Sequence, residues 1–216
     1  MLEKMGEFFD NRLDGYEEHQ LTCIDSAQEF YPFTASLLPK RKSASVLDLG
    51  CGTGLELNYY FKENPSASVT GIDLAPGMLK TLKEKFPDQN LTLIQGSYFE
   101  VPFGREVFDA AVSVESLHHF TKAEKVPLYR KLWEALTPGG YFVLTDYFSL
   151  SDEEELMHRE ELARIKAQEG ICDDDFYHYD TPLTVNHEVE ALFEAGFFKA
   201  KVKGQWGHTF TLRVEK

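Results

Sequence analysis

Apolar residues are arranged in two ways along this chain. In some segments they form short uninterrupted runs, which predict buried strands, and in others they recur every third or fourth position, which predicts amphipathic helices. The short runs cover residues 45–49, 68–73, 91–95, 108–114, 141–145, 197–203 and 209–214, and helical patterns follow most of them. Strands that alternate with helices are typical of an α/β fold with a mostly parallel sheet.

Several residues mark where these elements begin and end. Thr121 followed by Glu124 is a capping-box pattern, which predicts the start of a helix. Pro127 within that helix predicts a kink or a later start. Pro32 and Pro39 are expected to interrupt the helical pattern near the beginning of the chain.

The first predicted strand ends in a glycine-rich turn that contains Gly50, Gly52 and Gly54. Glycine permits a sharp turn and lets backbone N–H groups approach a ligand without a Cβ in the way. Asp48 lies at the carboxyl end of the strand, where open α/β sheets bind their ligands. A dinucleotide fingerprint would need its third glycine at position 55, which is Leu55. The spacing therefore argues against a dinucleotide site, and a tight turn without a ligand is the structural alternative.

Asp73 ends the second predicted strand. An acid at this strand end can accept hydrogen bonds from both ribose hydroxyls of a nucleoside. Capping the helix that begins near Pro76 is a second role for Asp73, and it is compatible with the first. The two features together indicate a nucleoside ligand.

The segments VLDLGCGTG (46–54) and GIDLAPGML (71–79) resemble the glycine-loop and acidic-loop motifs of the class I S-adenosylmethionine (SAM)-dependent methyltransferases. The resemblance implies that SAM is the cofactor and S-adenosylhomocysteine (SAH) the product. The positions that match the family place these residues around SAM: Asp48, Gly50, Cys51, Gly52, Gly54, Asp73, Leu74, Met78, Ser97, Tyr98 and Val114. For Cys51, filling a crowded turn is favoured over a reactive thiol.

Ser97 departs from the family pattern, because many relatives carry an acid there that binds the adenine amino group. Three alternatives for adenine recognition stay open: the Ser97 hydroxyl, a backbone group, or stacking on Tyr98.

The segment FDAAVSVESLHHF (108–120) resembles motif IV of the small-molecule methyltransferases, and LTPGGYFVLTDYF (136–148) resembles the segment that follows it. The resemblance implies that three side chains face the methyl group and its acceptor: Glu115, His119 and Tyr147. A neutral imidazole can take a proton from an attacking heteroatom near neutral pH. His118 is the alternative to His119 in this role, and a packed structural histidine is the alternative for either.

Residues 1–43 predict a helical leader that either caps the ligand or packs on the flank of the domain. An acidic helix is expected from 151 to about 170, where relatives insert a substrate-specific lid. The acids at 173–175 are expected to form a solvated turn rather than a metal site, because the alternate spacing of a metal loop is missing. The aromatic residues 176–180 can contribute to the acceptor pocket.

The chain has 216 residues, a net charge of -14 and no basic block, which argues against a nucleic-acid surface. Its three cysteines give neither a disulfide framework nor a zinc spacing. We see no apolar run long enough to cross a membrane and no signal segment, so we expect no membrane partner and a cytoplasmic location. The oligomeric state stays open, with a homodimer among the options.

We therefore expect one domain over 1–216, an α/β three-layer sandwich. Its seven-stranded, mostly parallel sheet would have an antiparallel last strand. The parts would be a helical N-terminal leader (1–43), a SAM-binding core (44–150), an inserted lid helix (151–180), and a C-terminal helix and hairpin (181–216). The expected function is SAM-dependent methyl transfer to an unidentified small molecule, with no metal site. The alternatives are a non-catalytic SAM- or SAH-binding protein and a methyltransferase that acts on tRNA or protein.

Overall fold

Seven strands form one sheet in a computed structural model that describes residues 1–172 and 175–216. The strands are β1 (Ser45–Leu49), β2 (Ser68–Asp73), β3 (Asn90–Gln95), β4 (Phe108–Val114), β5 (Leu136–Tyr147), β6 (Lys199–Trp206) and β7 (Thr209–Glu215). Their order is β3-β2-β1-β4-β5-β7-β6. β1 to β5 pair in parallel, and β7 is antiparallel to both β5 and β6. The expected sheet, with an antiparallel last strand, is confirmed.

Eight helices are found in the described residues. They are α1 (Met5–Asp10), α2 (Tyr16–Cys23), α3 (Ala27–Ser36), α4 (Leu57–Glu63), α5 (Pro76–Lys85), α6 (Lys122–Ala135), α7 (Asp152–Glu169) and α8 (Val185–Glu194). α6 and α8 pack on one face of the sheet, and α3, α4 and α5 pack on the other. Side chains of β1 alternate between the two faces: Leu47 and Leu49 point to the first, and Val46 to the second. A strand buried on both faces explains why this run is apolar throughout.

The two prolines inside helices behave differently from the expectation. α3 continues through Pro32, so the predicted interruption there is wrong. α6 begins at Lys122 with the capping box of Thr121 and Glu124 in place, so Pro127 does not delay its start. A proline removes one helical hydrogen bond at a cost of about 3 kcal/mol. Burial of neighbouring side chains, such as Phe30 in α3, offsets that cost.

Two other boundaries differ from the sequence expectation. β5 begins at Leu136 rather than at Tyr141, with a register irregularity opposite Phe108 and Ala110. The hairpin between β6 and β7 turns at 207–208, so the strand β6 extends further than its apolar run indicated. In both cases the strand includes polar and glycine residues that have no strand pattern of their own. Hydrogen bonds to a neighbouring strand hold these residues in the sheet.

The helical leader divides into two parts. α3 packs on the flank of the sheet, with Phe30 and Tyr31 buried beside α4. α1 instead lies at the carboxyl ends of the strands, where Asp10 Oδ1 accepts a hydrogen bond of 3.0 Å from the backbone N–H of Gly77 at the start of α5. α3 thus packs on the flank, as one alternative expects, whereas a cap over a ligand stays a prediction for α1.

The backbone ahead of α1 pairs with the segment that follows α7. The Met5 N–H donates to the Phe176 carbonyl at 2.9 Å, and the His178 N–H donates to the Glu3 carbonyl at 2.9 Å. Of the acids at 173–175, Asp173 and Asp174 lie outside the described residues. The expected turn at that place is therefore not described.

α7 runs from Asp152 to Glu169, close to the expected bounds, and ends at Gly170 in the left-handed conformation. Across the described part of the chain, no helix has the length and apolar character needed to cross a bilayer.

Candidate active site

The glycine loop after β1 has the backbone conformation that its sequence predicts. Gly50 and Gly52 have φ values of 71° and 49°, in the region that side chains rarely allow. A Cβ on Gly50 would lie 2.0 Å from the Ser116 hydroxyl, so no larger residue fits. At Gly52 the nearest atom to such a Cβ would be the Tyr16 hydroxyl at 3.8 Å. The loop is thus tight at Gly50 and open to a ligand at Gly52.

Cys51 packs its side chain against β2. A Cβ added to Gly71 would lie 2.7 Å from the Cys51 sulfur, and the cysteine is buried. Burial raises the pKa of the Cys51 thiol well above its usual value. The side chain therefore fills the turn, and only the backbone of Cys51 is left to meet a ligand.

Asp73 is held by the backbone on both of its carboxylate oxygens. Oδ2 accepts a hydrogen bond from the Gly52 N–H at 2.8 Å, and Oδ1 accepts one from the Ala75 N–H at 2.9 Å. Burial raises the pKa of Asp73, and these two donors act against the increase. Each oxygen keeps a lone pair for a further donor. The carboxylate is therefore oriented in advance for a ligand with two hydroxyls.

Two carboxyl groups are buried beneath the loop. Asp48 is 1% exposed and Glu56 is 4% exposed. Burial and the nearby Glu56 raise the pKa of Asp48 well above its usual value, and burial also raises the pKa of Glu56. Asp48 Oδ2, Glu56 Oε1 and the Thr53 hydroxyl have no hydrogen-bond partner within the described chain. Buried polar atoms without partners are rare, and here a proton shared between the carboxyls of Asp48 and Glu56 reduces the cost of burying them.

A small cavity lies above the loop and contains most of the residues that the family resemblance places around SAM. Those on its wall are Gly50, Gly52, Asp73, Leu74, Met78, Tyr98 and Val114. Asp48, Cys51, Gly54 and Ser97 do not line it. Ser97 is buried, and its hydroxyl accepts a hydrogen bond of 3.2 Å from the Phe99 N–H, so it caps a turn.

The leader fills much of this small cavity. Met5, Phe9 and Tyr16 form part of its wall, and its volume is about 60 Å³. Small-molecule sites usually have volumes of about 300–1,000 Å³. The residue types and the loop fit SAM, and the leader has to move before a ligand of that size can enter.

A second and larger cavity adjoins the first. Its volume is about 810 Å³, within the range of small-molecule sites. The two cavities share Phe9, Tyr16, Glu115 and His119. The larger wall also includes Tyr147, so all three residues expected to face the methyl group are brought together here.

Glu115 has an unusual backbone conformation at the end of β4. Its φ of 50° is in the left-handed region, which is rare for a residue with a side chain and is typical of functional positions. Burial raises the pKa of Glu115 to about 8. Its Oε1 accepts a hydrogen bond of 3.3 Å from the Thr209 hydroxyl. The strained backbone directs this carboxyl to the boundary between the two cavities.

His118 is the better anchored of the two histidines. Its Nδ1 lies 2.5 Å from Asp146 Oδ1, and Asp146 Oδ2 accepts a hydrogen bond of 2.9 Å from the Leu117 N–H. Burial would lower the pKa of His118, but the carboxylates of Asp146 and Asp180 raise it well above its usual value.

His119 lies beside Asp180 and the Tyr179 carbonyl. Its Nδ1 is 3.1 Å from that carbonyl oxygen and 3.3 Å from Asp180 Oδ1. Burial, together with the charge of His118, lowers the pKa of His119. Burial acts to raise the pKa of Asp180, but hydrogen bonds and charges from the two histidines hold it well below its usual range.

Asp180 and His178 are site residues that the sequence did not single out. Both lie on the wall of the larger cavity, in the aromatic segment that follows α7. Within the described chain, no residue of α7 itself lines either cavity. The aromatic composition of residues 176–180 was the available signal, and it did not show which of them face the site.

Tyr147 also lies on the wall of the larger cavity, with its ring stacked on His208 at a centroid distance of 5.2 Å.

Comparison with known proteins agrees with this geometry. A family model described as a methyltransferase domain matches residues 46–140. The chain is 30% identical over 109 residues to erythromycin 3''-O-methyltransferase of Saccharopolyspora erythraea, covering 49% of this chain and 35% of that protein. It is 30% identical over 185 residues to carboxy-S-adenosyl-L-methionine synthase of Chromohalobacter salexigens, covering 77% of this chain and 66% of that protein.

Among solved structures, the chain is similar to phosphoethanolamine N-methyltransferase 2 of Haemonchus contortus in complex with SAM. The TM-score is 0.68 at 19% identity, covering 93% of this chain and 44% of that one. This likeness concerns the fold. The chain spans only 35–38% of the length of the first curated relatives that it matches. Motifs, sheet order and relatives agree, and they support the assignment of residues 46–140 to a class I SAM-dependent methyltransferase domain.

Proposed function

We propose that this protein is a SAM-dependent methyltransferase that acts on a small molecule. The observation that supports this most strongly is the junction of the two cavities, where a nucleoside crevice built on Asp73 meets a larger pocket across Glu115 and His119. An enzyme that joins a cofactor and an acceptor needs two adjoining sites of this kind.

The chain's own residues would hold the cofactor at the smaller site. The Asp73 carboxylate would bind the ribose hydroxyls, Leu74 and Met78 would flank the adenine, and the loop at Gly50–Gly54 would wrap the amino-acid end. Bound SAM supplies a methyl group on a positively charged sulfur, and its transfer leaves SAH. The buried carboxyls of Asp48 and Glu56 lie below the loop, where burial raises the pKa of both and favours their protonated forms.

The larger cavity would hold the acceptor. Glu115, His119 and Tyr147 are the side chains that we propose to face the reacting atoms, because all three lie on its wall at strand ends. Their task would be to align the acceptor, exclude water and, where the acceptor carries a proton, help to remove it.

The acidic balance of the chain supports a small acceptor over tRNA. A protein that follows a phosphate backbone needs clustered lysines and arginines, and the net charge here is -14. A cytoplasmic location agrees with the three free cysteines, since disulfides are rare in reducing compartments.

Incubation with methyl-labelled SAM and a fractionated cell extract tests the proposal. We expect SAH to form and the label to appear in a low-molecular-weight fraction, with at least tenfold slower transfer by the Asp73→Ala variant at a SAM concentration below saturation. Label in protein or tRNA would contradict the small-molecule acceptor. Tight SAM binding without SAH formation in any fraction would instead indicate a non-catalytic binding protein.

A further inference from the structure

We propose that His118, His119 and Asp180 form a binding site for one divalent metal ion of the zinc type on the wall of the larger cavity. The use of such an ion in catalysis rests on the proposed function, whereas the existence of the site does not. The three side chains come from the loop after β4 and from the segment after α7. The two histidines are neighbours in the sequence, whereas Asp180 is distant from them and meets them only in the fold.

The separations between the three ligand atoms carry the proposal. Asp180 Oδ1 lies 3.4 Å from His118 Nε2 and 3.3 Å from His119 Nδ1. These are long distances for the hydrogen bonds that the two histidines make to Asp180, since N–H···O bonds usually measure 2.7–3.2 Å. A tetrahedral ion with bonds of about 2.0–2.1 Å places its ligand atoms about 3.3–3.4 Å apart. The two distances from Asp180 match this spacing, and all three ligand atoms lie within 4.8 Å of one another.

The orientation of His118 is the one found in zinc ligands. A histidine that binds a metal through one nitrogen usually donates the N–H of the other to a carboxylate, which fixes the ring. Here Nδ1 of His118 lies 2.5 Å from Asp146 Oδ1. Asp146 is 1% exposed and is itself held by the Leu117 N–H. Nε2 of His118 is therefore directed to Asp180 by a rigid support.

His119 needs one adjustment to act as a ligand. Its Nδ1 lies 3.1 Å from the Tyr179 carbonyl, a distance that suits a hydrogen bond when Nδ1 carries the proton. With the proton on Nε2 instead, the lone pair of Nδ1 is available to a metal. Metal binding would thus exchange this one contact for a coordinate bond.

Glu115, His118 and Asp146 also lie close together, but they do not form an equivalent site. Both oxygens of Asp146 are already engaged, by His118 Nδ1, the Leu117 N–H and the Tyr147 N–H. Asp180 has its carboxyl on the cavity wall, where it can bind an ion. The ligand set is therefore two imidazoles and one carboxylate.

Such a site would keep one coordination position for a ligand in the cavity. Catalytic zinc sites typically have three protein ligands and one open position. An acceptor hydroxyl or thiol bound there would lose its proton more readily, because a bound cation lowers the pKa of its ligand. Glu115 and Tyr147 lie on the same wall, so that position would face the boundary with the SAM crevice.

Titration of the tag-free, chelator-treated protein with Zn²⁺ and with Co²⁺ tests the site. We expect one ion per chain by calorimetry, and with Co²⁺ the intense visible absorption of a tetrahedral ion. Asp180→Asn should lower the affinity at least tenfold, and Asp146→Asn, which loosens His118, by about 10–100-fold. His208→Gln, a histidine of the same cavity outside the ligand set, should bind as the parent does.

Absence of stoichiometric binding, or equal binding by the parent and by Asp180→Asn, would overturn the proposal. Thermal unfolding of each variant shows whether it is folded, and His118→Gln gives a second ligand substitution should Asp180→Asn fail to fold. SAH binding is measured separately. A protein that binds SAH but no metal refutes the metal site alone, whereas one that binds metal but no SAH refutes the proposed function alone.

Discussion

The imidazole of His118 and the carboxylate of Asp146 form a buried pair, with 2.5 Å between Nδ1 and Oδ1. Because Asp146 is also bound to the Leu117 N–H, the pair joins the tip of β5 to the loop after β4. It directs the second ring nitrogen of His118 toward Asp180 and the larger cavity. The neighbouring ring of His119 lies at a centroid distance of 4.0 Å, on the boundary of both cavities.

The position of His119 predicts a specific kinetic effect. His119→Asn should leave SAH affinity unchanged, because the contacts of His119 in the described part of the chain are with Tyr179, Asp180 and neighbouring rings. Turnover should fall by roughly 10²–10⁴-fold for an acceptor that must lose a proton. Steady-state kinetics and SAH calorimetry on the same variant check this. A variant as active as the parent would show that His119 is only part of the wall.

Treatment with a metal chelator distinguishes two roles for His119, a general base and a metal ligand. A free base needs no ion, so turnover of the parent would survive treatment with a strong chelator. If His119 acts as a metal ligand, chelation should lower turnover to the level of His119→Asn, and added Zn²⁺ should restore it. Apo-protein with full activity would exclude the metal role in catalysis.

Much of the proposed SAM-binding crevice was predictable from the sequence because its parts are local. β1, β2 and β4 have the predicted bounds, and Asp73 follows directly from its place at a strand end. Asp180 was not identified, because it reaches His119 only in the fold, where the segment after α7 pairs with the leader and the Thr181 N–H donates to the His118 carbonyl at 3.0 Å. Continuation of α3 through Pro32 was also missed, since burial of its neighbours overrides the local penalty.

The buried carboxyl of Asp48 predicts a pH-dependent effect on stability. Below its unfolded pKa, about 3.9, the group is protonated in both states and does not affect folding. Above that pH the unfolded chain ionises while the folded state retains the proton, because the pKa is raised by burial. The parent therefore loses stability as the pH rises.

Asp48→Asn removes this loss and keeps the shape of the side chain. In the absence of ligand, the Tm of the variant should exceed that of the parent at pH 8, and the difference should shrink toward pH 5. Asp88→Asn, at an exposed acid, is the control. A difference that is constant or grows toward low pH would contradict the assignment.

The backbone amides of the leader should exchange hydrogen more slowly when cofactor binds. Met5, Phe9 and Tyr16 occupy the wall of a cavity of about 60 Å³, so α1 and α2 must open to admit SAH and then pack against it. Hydrogen exchange with and without SAH should show slower exchange in α1, in α2 and around His178. α6, which contributes no residue to the wall of either cavity, is the internal control. Equal exchange of the leader in both states would count against a cap.

A buried ion pair between α6 and α8 predicts a large effect on stability. Lys125 Nζ lies 2.5 Å from Glu188 Oε2, and both side chains are almost fully buried. Lys125→Met would leave the buried Glu188 charged and without its lysine partner. This should lower the free energy of unfolding by about 3–5 kcal/mol. Lys122→Met removes the exposed pair with Glu190 on the same two helices, and should cost about 0–1 kcal/mol. Similar losses in urea unfolding of the two variants would refute this assignment.

Calorimetric titration with SAH, of the parent and of Asp73→Ala, tests the central claim most directly. The Asp73 carboxylate is fixed by the backbone of Gly52 and Ala75 and has acceptor capacity left for a ribose. Loss of a charged, partly buried acceptor should cost on the order of 1.5–3 kcal/mol, which corresponds to SAH binding weakened at least tenfold. Asp88→Ala should bind as the parent does. Unchanged SAH affinity in a folded Asp73→Ala variant would contradict the placement of the cofactor at this loop.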